Sequence, residues 1–386
     1  MAMKELYVDS QDKLSDLCAQ IESSDVIAID TEFLREKTYY AQLCLIQIAT
    51  DDILACVDPL AISSLDPLLD LLYQPDRVKV LHSARQDLEI FFDLKSELPK
   101  PIFDTQIAAT LLGYGDQVGY ANLVKAMLGN TVDKEHARTD WSQRPLDDAQ
   151  VHYALNDVRY LIPIYRQQQE WLSEKGREQW LQTDFESLTD KELYAPQPEQ
   201  LWQRVKGTRI LKRGQLVILQ QLTMWREQRA KELNRPRKWI LPDEVLVDIA
   251  RRCPGSQEAM EKIRGWNNFI KKHASDILAV IKQARSIPES EWPVAERAIP
   301  LTVEQEAIVD VLMGVVRMRA IENDVTPAVL VTRKELESLV LGERDINVLT
   351  GWRREFVGDE LLQFLVGKKL ISISENKLVI SDSNEN

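Results

Sequence analysis

Residues 26–32, VIAIDTE, constrain this chain more than any other stretch. Val26, Ile27, Ala28 and Ile29 predict a short buried strand, and two carboxylates, Asp30 and Glu32, close it. Side chains two apart on a strand share a face, so Asp30 and Glu32 aim two negative charges into one small volume. Such a pair is unfavourable once it is withdrawn from water, and a divalent cation between the two removes most of that cost. A fold built on this strand is expected to bring further oxygen ligands to its end.

The pattern around that strand sets the architecture. KELYV (4–8) reads as a strand, and a helix begun by Ser10 or Asp12 carries Leu14, Leu17, Cys18 and Ile21 at helical spacing. After a polar turn, 41–50 (AQLCLIQIAT) returns as a strand and ILACVD follows as another, three strands with tight connections that predict antiparallel pairing. Next come a helix at 64–73, a buried strand at 78–83, and helices over ARQDLEIFFDL, QIAATLLGY and YANLVKAMLG. A polar loop at 129–145 then precedes one long helix over roughly 146–175. Strands first and helices after, around a single mixed sheet, predict an α/β layer fold for about 1–170. Beyond 171 strand alternation disappears, and helical periodicity fills 210–285 and 300–365 with the Pro- and Glu-rich SIPESEWPVAERAIP between them. The closing KLVISDSNEN reads as a polar tail.

A length of 386 residues favours two or three domains. No apolar run is long enough to span a bilayer, and the first residues lack the apolar core of a secretion signal, so a cytoplasmic location is expected. The four cysteines (Cys18, Cys44, Cys56, Cys253) make no CxxC pair, which argues against a disulfide framework or a cysteine-based zinc site. Net charge is −13, yet the segment from Arg204 to Lys238 holds eleven basic residues against Glu227 and Glu232. That polarity is what a nucleic-acid partner requires if the side chains face solvent together, and otherwise describes an ordinary solvated helical face.

Two more acids complete a candidate site. Asp87 lies in the first turns of the helix after strand 78–83, near the sheet's carboxyl edge. Asp157 lies four residues after Tyr153, so both share one helix face. Four carboxylates suit hard cations, and two magnesium or manganese ions held together suit hydrolysis of a phosphodiester. Tyr153 is placed to hydrogen-bond an attacking water, being a poor general base with an ordinary pKa near 10.

AIDTEF, LHSARQDLEIF and YALNDVRYL resemble the three motifs of the DEDD superfamily of 3′-to-5′ exonucleases, in the subclass with a tyrosine in the third motif. The resemblance implies a ribonuclease H-like mixed sheet with flanking helices. It also implies catalytic roles for Asp30, Glu32, Asp87, Tyr153 and Asp157, with the four acids holding two ions. Asp30 would bridge both ions, and Asp87 would support the second through water. Residues 210–285 resemble the HRDC module, and 300–370 look like a divergent copy that has lost most of its basic charge. The expected organisation is an exonuclease domain at 1–200, a first HRDC domain at 201–290 that binds RNA, a second HRDC-like domain at 291–375, and a tail at 376–386. Both C-terminal domains are expected to be all-helical.

This order of domains is similar to a bacterial exoribonuclease family. It implies a monomer that trims RNAs with unpaired 3′ ends, tRNA precursors among them, and releases 5′-monophosphates. Substrate contacts are expected from Phe33, Arg35, Tyr39 and His82 near the acids, and from Arg229, Arg235, Arg237 and Lys238 in the basic segment. Gln47, an amide in an apolar strand, reads as structural support and Asp104 as a helix cap. A DNA exonuclease, or a tRNA-binding protein without activity, are the alternative readings.

Overall fold

The computed structural model describes residues 3–133, 139–265, 267–294 and 299–383, so parts of the polar loop at 129–145 and of the expected linker lie outside it. Strands β1 (Lys4–Val8), β2 (Val26–Leu34), β3 (Gln42–Ala49), β4 (Ile53–Val57), β5 (Val78–Leu81) and β6 (Ile102–Asp104) form one mixed sheet. Their order is β1-β4-β3-β2-β5-β6. The tight turns make β2, β3 and β4 antiparallel neighbours, whereas β1, β5 and β6 join in parallel through helical crossovers.

Helices cover both faces, which is why the strands read as nearly unbroken apolar runs. On one face Ile27, Ile29, Ile46 and Ile48 pack with α1 (Gln11–Ile21), α2 (Asp66–Leu72) and α3 (Arg85–Lys95) through Leu14, Leu68 and Phe91. On the other, Ala28, Leu45, Ala49 and Cys56 share a core with Ala154, Leu155 and Val158. Helices α4 (Thr105–Leu111) and α5 (Tyr120–Leu128) flank this layer. The single long helix expected over 146–175 is two: α6 (Asp148–Arg159) and α7 (Leu161–Glu174), broken at Tyr160. Pro163 has no N–H to continue the ladder of α6, so the chain restarts there. The Tyr120 hydroxyl pins the break, donating to the Asn156 carbonyl at 2.9 Å and accepting from the Tyr160 N–H at 3.1 Å. Among the described residues no helix is long and apolar enough to cross a membrane.

Beyond α8 (Glu178–Leu188) lie two modules of one layout. The first begins with the 20-residue α9 (Arg213–Glu232), followed by helices Arg237–Ile240 and Asp243–Arg252. Leu222 is fully buried there and Trp225 packs on the same core. The second repeats the order with Val303–Glu322, Pro327–Leu330 and Arg333–Val340. It is not all-helical: β7 (Lys369–Ser374) and β8 (Lys377–Asp382) form an antiparallel hairpin. Residues expected to be a polar tail are therefore its second strand. Glu375 and Asn376 both take positive φ, the geometry of a two-residue hairpin turn.

The second module is docked on the catalytic layer. Trp180 of α8 stacks on Trp352 with ring centroids 4.2 Å apart, and Arg353 pairs with Asp184 of α8 at 2.9 and 3.0 Å. At Gly113 a Cβ would lie 2.9 Å from the Asp324 carbonyl oxygen, so only glycine allows this approach. Arg353→Ala leaves the half-buried Asp184 without its cation and should destabilise the chain by about 3 kcal/mol. Urea unfolding checks this, and an unchanged midpoint would show that the pair does not hold the module down.

Candidate active site

The site forms where β2 outruns its parallel neighbour. Pairing of β2 with β5 ends at Ala28 opposite Val80, while pairing with β3 continues through Asp30 opposite Gln47 and Glu32 opposite Leu45. Asp30 and Glu32 thus share the face of Ala28, the face that α6 covers. The register then shifts between Glu32 and Phe33, a bulge that turns the following loop away.

Asp87 approaches from α3, and its position is built by Asp104. That carboxylate, buried at the end of β6, accepts from the Ser83 and Ala84 N–H groups at 3.1 and 2.8 Å, in the turn that enters α3. It also accepts from Gln106 and Ile107 at the start of α4. The helix cap expected of Asp104 is therefore also the anchor of the turn that delivers Asp87. Thr31, between the two acids of the strand but on the opposite face, donates its hydroxyl to Asp87 at 2.5 Å.

Asp157 and Tyr153 come from α6. The register of that helix is set by a capping box between Asp147 and Gln150, and by Arg144, which clamps Asp58 at 2.5 and 2.7 Å and the Cys44 carbonyl at 2.7 Å. Trp141, buried, lies 6.1 Å from the Tyr153 ring.

The electrostatics join the four acids. Burial, and then the charges of Asp87, Asp157 and Glu32, push the Asp30 carboxyl well above the carboxylate range. Glu32 rises to about 8, through burial and then Asp157 and Asp87. Burial raises Asp87 to about 7 against the opposing pull of the Thr31 hydroxyl, and raises Asp157 to about 7. Burial and the neighbouring Asp157, Glu32 and Asp30 also raise the Tyr153 phenol, keeping it protonated. Among the described residues no three His, Cys, Asp or Glu side chains stand close enough, as placed, to hold a metal ion. What they offer one is chemical: an all-oxygen donor set whose mutual repulsion a dication would relieve.

The softer expectations fare differently. Phe33 is half-exposed just past the bulge. Arg35 is held by Glu89 at 2.6 and 2.7 Å. Tyr39 is fastened to the first module: its hydroxyl donates to Glu227 and accepts from Arg237 at 2.9 Å, under an Arg237 guanidinium 4.7 Å from the ring centre. The Asn234 side chain completes this latch by accepting from the Tyr39 and Tyr40 N–H groups. Arg237 and Arg229 are thus not free solvent-facing cations. Arg237 pairs with Glu227, and Arg229 with Glu232 and Asp276. Both ring nitrogens of His82 are engaged, one with the Thr105 hydroxyl at 2.9 Å and the other with the Val118 carbonyl at 3.0 Å. Arg235 and Lys238 are exposed as expected.

Comparison with known proteins places the chain in a family. A family model described as "3'-5' exonuclease" matches residues 6–172, and one described as "HRDC domain" matches 215–281. Ribonuclease D of Gluconacetobacter diazotrophicus is 38% identical over 97% of this chain and 96% of its own length. The chain belongs to the ribonuclease D family. Within that family, ribonuclease D of Zymomonas mobilis is also 38% identical, over 99% of both chains. The crystal structure of Escherichia coli RNase D, "an exoribonuclease involved in structured RNA processing", superposes with a TM-score of 0.81 at 30% identity, covering 95% of this chain and 99% of that one. The mixed sheet with its flanking helices is the catalytic layer of a 3′-to-5′ exonuclease, and the family typically depends on a divalent metal.

The raised carboxyls give a signed prediction. Ordinary Asp and Glu titrate near pH 4, so between about pH 4 and 8 the metal-free folded chain binds more protons than the unfolded one. Their contribution to stability is full below about pH 4 and is lost as pH rises toward 8. Thermal unfolding in a chelator should therefore show a midpoint that falls from pH 5 to pH 8, and Glu32→Gln should flatten the fall. An equal slope in both proteins would place Glu32 outside the cluster.

Proposed function

We propose that this chain removes single nucleotides from the 3′ end of RNA by hydrolysis and releases nucleoside 5′-monophosphates. Precursor tRNAs and other RNAs with unpaired 3′ ends are the substrates. The observation that supports this reading is the electrostatic coupling of Asp30 to Glu32, Asp87 and Asp157 at the overhanging end of β2. These four would hold two magnesium or manganese ions, which when bound lower the pKa of a water and neutralise charge on the phosphate and the departing 3′ oxygen. Tyr153, its phenol kept protonated, fixes that water by hydrogen bonding rather than taking its proton. The water oxygen would bond to phosphorus as the bond to the 3′ oxygen breaks, and the proton the water gives up would pass through solvent to that oxygen, leaving a 3′ hydroxyl.

The body of the RNA needs a separate hold, and the first module supplies a groove of about 1250 Å³. Eight basic side chains line it against four acidic ones, in a chain whose net charge is −13. Arg204, Lys206, Lys238 and Arg264 are among them, beside the exposed ring of Trp239. Such a groove offers salt-sensitive phosphate contacts and a stacking surface for any base. Arg237 lines the groove and also grips Tyr39, in the loop that leaves the acid-bearing strand. The second module packs on the catalytic layer of its own chain, which favours action as a monomer.

Asp30→Asn should abolish release of nucleotides from 5′-labelled RNA in magnesium while RNA affinity stays within a few-fold, and Tyr153→Phe should fold normally and lose most of its rate. Unchanged cleavage by Asp30→Asn would remove the two-ion assignment. The same assay with DNA and with a chelator separates RNA from DNA as substrate. For the groove, neutralising Arg204, Lys238 and Arg264 together should reduce the slope of log affinity against log salt by about 2. Trp239→Ala should weaken binding by about 1–3 kcal/mol. A slope and affinity that both stay put would move the RNA elsewhere.

A further inference from the structure

Gln47 stands apart from every other buried side chain of the catalytic layer. It is wholly buried in β3, and among the described residues neither its Oε1 nor its Nε2 has a hydrogen-bond partner. A buried amide with no partner destabilises a fold, and a methionine or leucine of nearly the same volume would fill the place without that cost. Packing gives no reason for an amide here.

Its register supplies one. Gln47 sits directly opposite Asp30 across the β2–β3 ladder. Opposed residues on adjacent antiparallel strands project from the same face, with Cβ atoms about 5 Å apart. On its other side Gln47 faces Cys56 of β4, whose thiol is directed to the Val151 carbonyl. Above lie the apolar Ala154, Leu155 and Val158 of α6. Of these neighbours, Asp30 is the side chain that can take up the amide's N–H.

We propose that Gln47 is a positioning residue for Asp30, its Nε2–H donating to an Asp30 carboxylate oxygen once that carboxylate holds a divalent cation. The inference rests on the two-ion reading of the site. In the metal-free chain the amide is left over: it stands opposite Asp30 across the ladder with neither polar atom bonded. With a cation bound, Asp30 would have to keep one rotamer, and a fixed donor one strand away would hold it. Groups that orient a ligand in this way commonly change metal affinity by about 10- to 100-fold when removed. Gln47 thus trades stability of the empty protein for affinity of the loaded one.

The test uses the full chain as parent, Gln47→Met, Gln47→Leu and Asp30→Asn. Mn²⁺ binding is read by electron paramagnetic resonance, and urea unfolding is measured in a chelator. Both Gln47 variants should unfold at a urea concentration no lower than the parent's, yet bind Mn²⁺ about tenfold more weakly. With RNA, kcat should fall while KM stays within twofold. Mn²⁺ affinity within twofold of the parent's would overturn the proposal. So would loss of folded protein in both variants in the chelator, since the amide would then serve the empty fold. If the parent itself binds no Mn²⁺, or Asp30→Asn binds it as well as the parent, the two-ion reading fails first. Those results are distinct from a parent that binds and Gln47 variants that bind equally.

Discussion

Crowding of four carboxyls, Asp87 buried and the other three partly buried, is the constraint around which this structure is arranged. Asp30, Glu32, Asp87 and Asp157 each lose hydration, and Asp30 and Glu32 also feel the other acids directly. A fold does not hold such a cluster unless the surrounding elements are rigid enough to prevent the side chains from escaping to water. The rigidity is visible in the pieces that do not touch the reaction. Asp104 ties the start of α3 to the start of α4, Tyr120 bridges the junction of α6 and α7, and Arg144 clamps Asp58 beside the entry to α6. Each of these uses a charge or hydroxyl to satisfy backbone or side-chain groups at an element's end, where orphan donors and acceptors collect.

The C-terminal half is tied to this layer by the same kind of contact. The loop that leaves β2 does not hang free, because Tyr39, Glu227, Arg237 and Asn234 lock it to the first module. Glu227 is nearly buried in this latch, so its pairing with Arg237 is oriented and shielded rather than a loose surface contact. The basic groove next to the latch is thereby kept in register with the acid cluster. The second module is fixed instead to the catalytic layer through Trp180, Trp352 and Arg353. Two copies of one layout are thus fastened at different places, one to the loop that leaves β2 and the other to the catalytic layer.

Much of the catalytic layer was legible because its signals are local. Strand periodicity located β2, β3 and β4, and tight turns implied their antiparallel order. The alternation rule put Asp30 and Glu32 on one face, and the i, i+4 rule did the same for Tyr153 and Asp157. The misreadings have equally local causes. Pro163 reads as one residue in a helical run, yet its missing N–H divides that run in two. The hairpin at the C-terminus looked polar because both of its faces are largely exposed, and without a buried face the alternating pattern has little contrast. His82 looked available because nothing nearby in the sequence announces that Thr105 and the Val118 carbonyl would take both ring nitrogens.

The amino-acid sequence by itself determined which residues carry charge at the end of a buried strand, which of them can share a face, and the class of fold that alternating strands and helices must build. Periodicity and spacing act over a few residues, so one dimension is enough to hold that information. Only the tertiary structure decided what lies beside those residues. It set Gln47 opposite Asp30 and joined Arg237 and Tyr39 in a latch. It made Thr31 the partner of Asp87, 56 positions further along the chain. Hydrogen bonds and ion pairs depend on ångström distances between segments far apart in the chain, and folding alone sets those distances.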